Sequence, residues 1–406
     1  MALRNLARNR RRTAISLLVV ATGTVALVLT AGFIAFSFRG LGEALVRGGL
    51  GHLEVAAADT AEGTRVDRPV SAALADWRQL RERLEALPEV AAAGANVHLM
   101  GMVSLGGTSA SFVGVGVEPD REQAMGFTTR LRGGEPLPAA APPLGDDQVL
   151  LARGVAETLG AGPGDVVTLL ALTPDGLLNA LDLRVAGVLT TGVQDLDSRF
   201  LKVHLATAQR LLQTESVSDL LLVLADGVPL AAGERAVKRL LAPHQPPLAV
   251  LDWQARAPFY GQVRNLYLGI FWFLGTVILV LVVLSTSNTL MMTVLERTRE
   301  LGTLRAIGTS RAQVAAIVMG EALWLGLLGG LLGSLLGAAA MLAINAAELK
   351  MPPPPGAVDP IDLQLATVPA AYAGAVALML VVLAVAAAVP IARAVRLRVA
   401  EALSSV

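Results

Sequence analysis

The chain has 406 residues, 54% of them hydrophobic and 16% charged, with no cysteine and a formal net charge of zero. A charged fraction this far below the ~25% of ordinary soluble domains points to a membrane protein, and the even balance argues against a nucleic-acid partner. The absence of cysteine excludes disulfides, thiolate catalysis and Cys-based metal sites.

Residues 1–13 form a basic, amphipathic cytoplasmic start that contains Arg4, Arg8, Arg10, Arg11 and Arg12. Four apolar runs, 14–36, 267–292, 318–343 and 368–391, are each long enough as helices to cross a hydrocarbon core of about 30 Å. The first is longer than a signal-peptide core and no small-residue cleavage site follows it cleanly, so it reads as a retained anchor. Short cytoplasmic flanks are enriched in Lys and Arg. The N-terminal cluster, the loop arginines Arg297, Arg299, Arg305 and Arg311, and the tail arginines Arg393, Arg396 and Arg398 (tail 392–406) all fall inside under one topology. The remaining loop, 344–367, sets Lys350 against Glu348, Asp359 and Asp362 and belongs outside, with Pro352 to Pro355 as a stiff polyproline spacer.

Residues 37–266 then form a domain on the far side of the membrane. "GHLEVAA" reads as a strand, "SAALADWRQLRERLEALPEV" as an amphipathic helix with Leu80, Leu84 and Leu87 on one face, and the following segments alternate as strands. The strand and helix pattern repeats through "DLLLVLAD", "AAGERAVKRLLAP" and "PLAVLDW". Two such sets suggest a split ferredoxin-like layer with a small, mostly β lobe inserted at about 122–218. Inside that lobe a short helix should end near Gly160, and "GPGD" (Gly162 to Asp165) should turn into a strand. The expected fold is a polytopic α-helical membrane protein with four spans, both termini inside, and a large α+β extracytoplasmic domain between the first two spans.

His52, His98, His204 and His244 show no metal-ligand spacing and read as scattered surface histidines. No nucleophile elbow, telling carboxylate pair or phosphate-binding G-x-x-x-x-G-K-[ST] occurs. No catalysis is therefore expected from the chain itself, and no metal.

Six charges from Glu296 to Arg311 interrupt the apolar pattern. At ~2.5–3.5 kcal/mol each in a span, they hold residues 293–317 at the cytoplasmic surface by on the order of 15 kcal/mol before any pairing. Leu301, Leu304 and Ile307 recur at helical spacing, Gly308 is placed as a C-cap, and Ser310 to Gln313 reads as a capping box. Such an elbow is either a solvated connector or a docking element.

"ERTRELGTLRAIGTSRAQ" resembles the signature of FtsX-like permeases, the membrane subunits of macrolide-exporter and lipoprotein-release (type VII) ABC transporters. It matches at Glu296, Arg297, Arg299, Glu300, Gly302, Leu304, Arg305, Ala306, Gly308 and Arg311. "LRNLARNRRRTAIS", "LLARGVAETLGAGPGDVVTL", "GVLTTGVQDLDSRFLKVHLATAQRLL" and "PIARAVRLRVAEAL" are also similar to segments of the family, although Arg398 and Val399 replace the usual Asp-Pro of the tail. The resemblance implies a multi-pass protein of a bacterial inner membrane. It also implies an elbow that couples to a separate cytoplasmic ABC ATPase, present in two copies, which binds the ATP and Mg while this chain binds no cofactor. The coupling residues would be Glu296, Arg297, Arg299, Glu300, Leu301, Gly302, Leu304, Arg305, Ile307 and Gly308, with Leu301, Leu304 and Ile307 as the apolar anchor. The other implied partners are a second, identical or homologous permease, a periplasmic carrier or adaptor, and membrane lipids.

With no fused ATPase, the lipoprotein-release branch fits best: extraction of a lipidated or amphipathic substrate from the outer leaflet. The alternatives are tripartite efflux of small molecules or peptides, and non-transporting regulation of an extracellular hydrolase, whose outside domain would lack the inserted lobe.

In the third span, Gly326 and Gly330, and Gly329, Gly333 and Gly337, fall at small-x-x-x-small spacing. This allows loose packing within the chain, or close contact with the first spans or with a second permease. Glu321 either marks function or snorkels to the surface. Phe33, Phe36, Phe38, Tyr267, Phe271 and Phe273 are candidates for a substrate cavity, and an interfacial aromatic belt explains them as well.

Overall fold

The computed structural model describes residues 10–58, 74–192, 194–351 and 361–396. The start at 1–9, the prolines 352–355, and Arg398 and Val399 lie outside the described residues. The chain divides into two compact units, one comprising 1–39, 263–351 and 362–406 and the other 40–262 with 352–361.

Helix α1 (Arg10–Leu45) carries the first apolar run and continues past it, since no breaker precedes the glycines that follow. It passes into a wide turn, Val46–Leu50, in which Gly49 adopts φ +108°, a value that glycine tolerates and L side chains rarely do.

Among the described residues, ten strands follow between 53 and 252 in the second unit. They are β1 (Leu53–Ala57), then after helix α2 (Trp77–Glu85) β2 (Val90–Leu105), β3 (Thr108–Val117), β4 (Arg130–Gly134) and β5 (Gln148–Ala152). Helix α3 (Arg153–Leu159) leads to β6 (Val166–Leu172), β7 (Leu178–Thr190) and β8 (Phe200–His204). Helix α4 (Leu205–Leu212), β9 (Asp219–Leu224), helix α5 (Leu230–Leu241) and β10 (Leu248–Asp252) complete the unit.

The order β10-β1-β9-β2, antiparallel at every step, is that of a ferredoxin-like layer. Trp77, Leu80 and Leu84 of α2, and Ala236, Val237 and Leu241 of α5, are the buried faces of its two helices. The inserted lobe is a closed ring. β2 pairs with β3, β3 with β8, β8 with β5, β5 with β7, β7 with β6, and β6 returns to β2. Closure gives each of those six strands a neighbour on both sides over at least part of its length.

The lobe was expected to begin near residue 122, but β3 at 108–117 already belongs to it through its pairing with β8. The reason is the length of β2: residues 90–96 pair with β9, and residues 97–105 pair with β3. One strand therefore serves both lobes, and one apolar core runs through them. Gly101 permits the ring to close, because a Cβ there would sit 1.9 Å from the Leu170 carbonyl oxygen.

Two histidines expected at the surface are buried, His98 and His204. Nε2 of His98 lies 2.5 Å from Asp219 Oδ2 where β2 parts from β9, and His204 Nδ1 accepts the Ala206 N–H at the start of α4. His52 Nδ1 similarly accepts the Leu224 N–H. Burial lowers the pKa of His52 and of His204 below 6.5. The turn at Gly162 is present, with Asp165 Oδ2 accepting the Gly162 N–H and Gly160 left-handed at the end of α3.

The other unit holds α1 together with α6 (Pro258–Glu296), α7 (Thr298–Ala306), α8 (Arg311–Ala346), α9 (Pro369–Ala386) and α10 (Ala388–Arg396). The fourth apolar run breaks at Ala387 because Pro390 has no N–H to give the preceding turn and crowds its carbonyl. Val20, Val282, Ala322, Leu325, Met379 and Leu383 form a core from α1, α6, α8 and α9. α6 is the least covered, leaving Trp272, Phe273, Leu281 and Leu284 exposed.

Candidate functional site: the cytoplasmic elbow

The elbow begins where α6 ends at Glu296. Arg297 is the one residue out of helix between α6 and α7, at φ −101° and ψ 16°. Its Nε donates to Glu300 Oε2 at 2.8 Å and its Nη1 donates to Glu321 Oε1 at 2.7 Å. Burial disfavours the Arg297 charge, and the hydrogen bonds to the two carboxylates more than offset this, leaving its pKa raised. Glu321 lies inside α8 with its side chain only 6% exposed, so it does not snorkel to solvent.

α7 ends as the sequence chemistry requires. Gly308 takes φ +102°, its N–H bonds to the Arg305 carbonyl, and the Thr309 N–H bonds to the Leu304 carbonyl. These are the paired bonds of a Schellman motif. Ser310 Oγ then accepts the Gln313 N–H at 3.2 Å while the Gln313 side chain accepts the Ser310 N–H at 2.8 Å, the reciprocal capping box that starts α8.

The apolar trio divides, which corrects the expectation that it would face outward together. Leu301 is buried with Val294, Val314, Val318 and Ala394, and Leu304 packs against that cluster; Ile307 alone stands out, 76% exposed. α7 uses one face to seat itself on its own chain, because Leu301 and Leu304 lie three residues apart within the helix whereas Ile307 is the C-cap beyond its end. Arg305 Nη1 adds a bond to the Val395 carbonyl of α10 at 3.3 Å. Gly302 is buried, whereas Glu296, Arg299, Glu300, Thr303 and Arg311 are exposed. The elbow thus offers Ile307 and a rim of charges outward from a seated helix. The share taken by Glu321 and by the α10 carbonyl was not readable in the sequence, for both lie far along the chain.

The glycines of α8 divide by face. Gly329 and Gly333 meet Val20, Ala21 and Thr24 of α1, and Gly337 meets Val25 and Val28; Gly326 and Gly330 meet Val376, Leu380 and Leu383 of α9. All five serve contacts within the chain. Of the aromatic candidates, Phe33 and Phe271 meet edge-on at 5.9 Å between ring centroids, Phe38 and Tyr267 at 6.4 Å, and Tyr267 lies 6.3 Å from Phe271. These four rings pack on one another along α1 and α6. Phe36 is half-buried and Phe273 points outward, 70% exposed.

Among the described residues, four long apolar helices, a β-rich domain after the first and a charged elbow between the second and third define a multi-pass inner-membrane protein. Residues 13–240 match the MacB-like periplasmic core domain, and residues 272–399 match the FtsX-like permease C-terminal domain. The chain belongs to the FtsX-like permeases that carry a MacB-like periplasmic core domain.

Among curated proteins it is similar to the lipoprotein-releasing system transmembrane protein LolC of Neisseria meningitidis serogroup B (strain ATCC BAA-335 / MC58), with 26% identity over 265 residues. That match covers 63% of this chain and 62% of the relative. Among solved structures, the periplasmic region of MacB from Actinobacillus actinomycetemcomitans aligns with a TM-score of 0.39 and 16% identity, covering 54% of this chain and 96% of that one. The extracellular domain of the noncanonic ABC-type transporter YknZ from Gram-positive bacteria aligns with a TM-score of 0.34 and 13% identity, covering 43% and 88% respectively.

Proposed function

We propose that this chain is the permease subunit of an ATP-driven ABC transporter whose ATPase is a separate cytoplasmic subunit that binds ATP and Mg, two copies serving two permeases. One observation carries the reading: the elbow is seated on its own bundle through Leu301, Arg297 and Arg305 and still presents Ile307 and charged side chains to the cytoplasm. A helix that only connected two spans would need neither the seat nor the exposed apolar tip. In this reading the substrate is a lipidated or amphipathic molecule drawn from the outer leaflet of the inner membrane and passed to a periplasmic carrier, as the name of the Neisseria relative suggests. The match to a MacB-like core domain over residues 13–240 favours a second reading, efflux through a periplasmic adaptor.

Mass spectrometry of the tagged complex, purified gently from native membranes, tests both. A separate ATPase with lipoproteins or a soluble periplasmic carrier supports extraction. An ATPase with an adaptor and an outer-membrane channel supports efflux, and recovery without any ATPase refutes the ATPase-coupled reading. Replacing Ile307 by Asp should reduce ATPase recovery about tenfold or more, the scale of losing one well-buried apolar anchor at an interface.

A further inference from the structure

Arg297 occupies the only non-helical position between α6 and α7, so α7 would swing about that residue if nothing else fixed its angle. Its guanidinium reaches two elements at once: Glu300 on α7 and Glu321 nearly three turns into α8, early in its apolar run. Arginine suits this place because its planar fork can serve two carboxylates, which a lysine point charge does not do with comparable geometry. Glu321 in turn is a carboxylate at the lip of a span, where an unpaired charge is disfavoured. The contact is thus held from both ends, and it bypasses the turn at Gly308.

We propose that the Arg297–Glu321 ion pair is the positioning link that makes the elbow helix α7 and the span α8 move as one body. A displacement delivered to the exposed tip around Ile307 would then be passed along α8 instead of being absorbed by rotation at Arg297. The use made of the link rests on the ATPase-coupled reading above; the link itself does not.

The chain has no cysteine, so spin labels can be placed without removing any native residue. Thr303→Cys on α7 and Leu331→Cys on α8, both exposed, would be labelled in the full chain in lipid nanodiscs and their distance distribution measured by pulsed EPR. The parent pair should give one narrow distribution. Glu321→Gln and Arg297→Gln should each broaden it about twofold, and the double variant should be no broader than either single one, as expected for one shared interaction. An unchanged width in Glu321→Gln, or additive broadening in the double variant, overturns the proposal. If the Gln variants are not recovered folded, Arg297→Lys decides: it should broaden the distribution, and a parent-like width overturns the link.

The same variants are purified from native membranes by their tag. Glu321→Gln should retain whatever ATPase the parent retains, because Glu321 is not presented outward. Loss of the ATPase with an unchanged distance distribution would make Glu321 a docking residue and overturn the link. If the parent itself retains no ATPase, the functional reading fails while the distance measurement still decides the link.

Discussion

Adding one methyl group at Gly333 is a sharp test of how α8 packs. A Cβ built there lies 2.5 Å from the Ala21 carbonyl oxygen and 2.6 Å from Thr24 Cβ, whereas at Gly337 the nearest atom, Val28 Cγ1, is 3.4 Å away. The Gly333 contact is about 0.9 Å short of the distance at which ordinary contact begins, and its nearest neighbour is a helical backbone oxygen that cannot rotate aside. Gly333→Ala therefore forces α1 and α8 apart, at a cost of ~1–3 kcal/mol for overpacking. Gly337→Ala fits as it stands. Both substitutions gain the same helix propensity, roughly 1 kcal/mol, so their difference isolates the clash. At about 2–4 °C per kcal/mol for a bundle of this size, Gly333→Ala should melt roughly 2–12 °C below Gly337→Ala. Purified full-length variants heated in the same detergent and scored for monodispersity give that comparison. A Gly333→Ala protein that melts with or above Gly337→Ala would refute the close α1–α8 crossing.

Other regions make their own tests. Gly308→Val places a β-branched residue at φ +102°, should cost ~1–3 kcal/mol of local strain, and should be seen as faster amide exchange across 303–309. Ser310→Ala removes half of the capping box and should cost ~1 kcal/mol, visible as fraying confined to the first turn of α8 in the same experiment. Glu54 and Arg256 form a buried pair in the extracytoplasmic unit. Burial lowers the Arg256 pKa to about 10, and Glu54→Ala should lower that unit's stability by ~3–5 kcal/mol by stranding the cation, measured as protease susceptibility of the full chain. The imidazoles of His52 and His204 are held neutral below 6.5 by burial, so between their folded pKa values and 6.5 the unfolded chain binds more protons. Their contribution is complete above about pH 6.5 and is lost as pH falls through that window. Exchange protection of the Leu224 and Ala206 amides, corrected for intrinsic rate, should fall on acidification, and pH-independent protection would contradict the assignment.

Much of the elbow was legible because its determinants are local. Gly308, Ser310 and Gln313 announce one helix end and the next start within six residues, since capping satisfies backbone groups a few positions away. The split strand–helix pattern of the extracytoplasmic domain was equally readable from period-2 and period-3.6 alternation. The closed six-stranded ring was not, because β2 and β6 meet only through long-range pairing, and a strand's alternation is the same whether its sheet closes or stays open. The histidines went the same way: composition puts imidazole near a surface, and only the fold supplies the backbone N–H groups that make burying His204, and half-burying His52, tolerable.

By itself the sequence determined that the chain has four helices long and apolar enough to cross a membrane, and that a capped helix lies between the second and third of them. Those outcomes follow from transfer energies and local hydrogen bonding, which act over a few residues. The tertiary structure decided which side of that helix is spent on the chain's own bundle, since Leu301 and Ile307 are alike in sequence and differ only in what packs against them. It likewise decided that Glu321 is paired with Arg297 and not exposed, because an ion pair between two helices depends on how they cross, and no local pattern encodes that crossing.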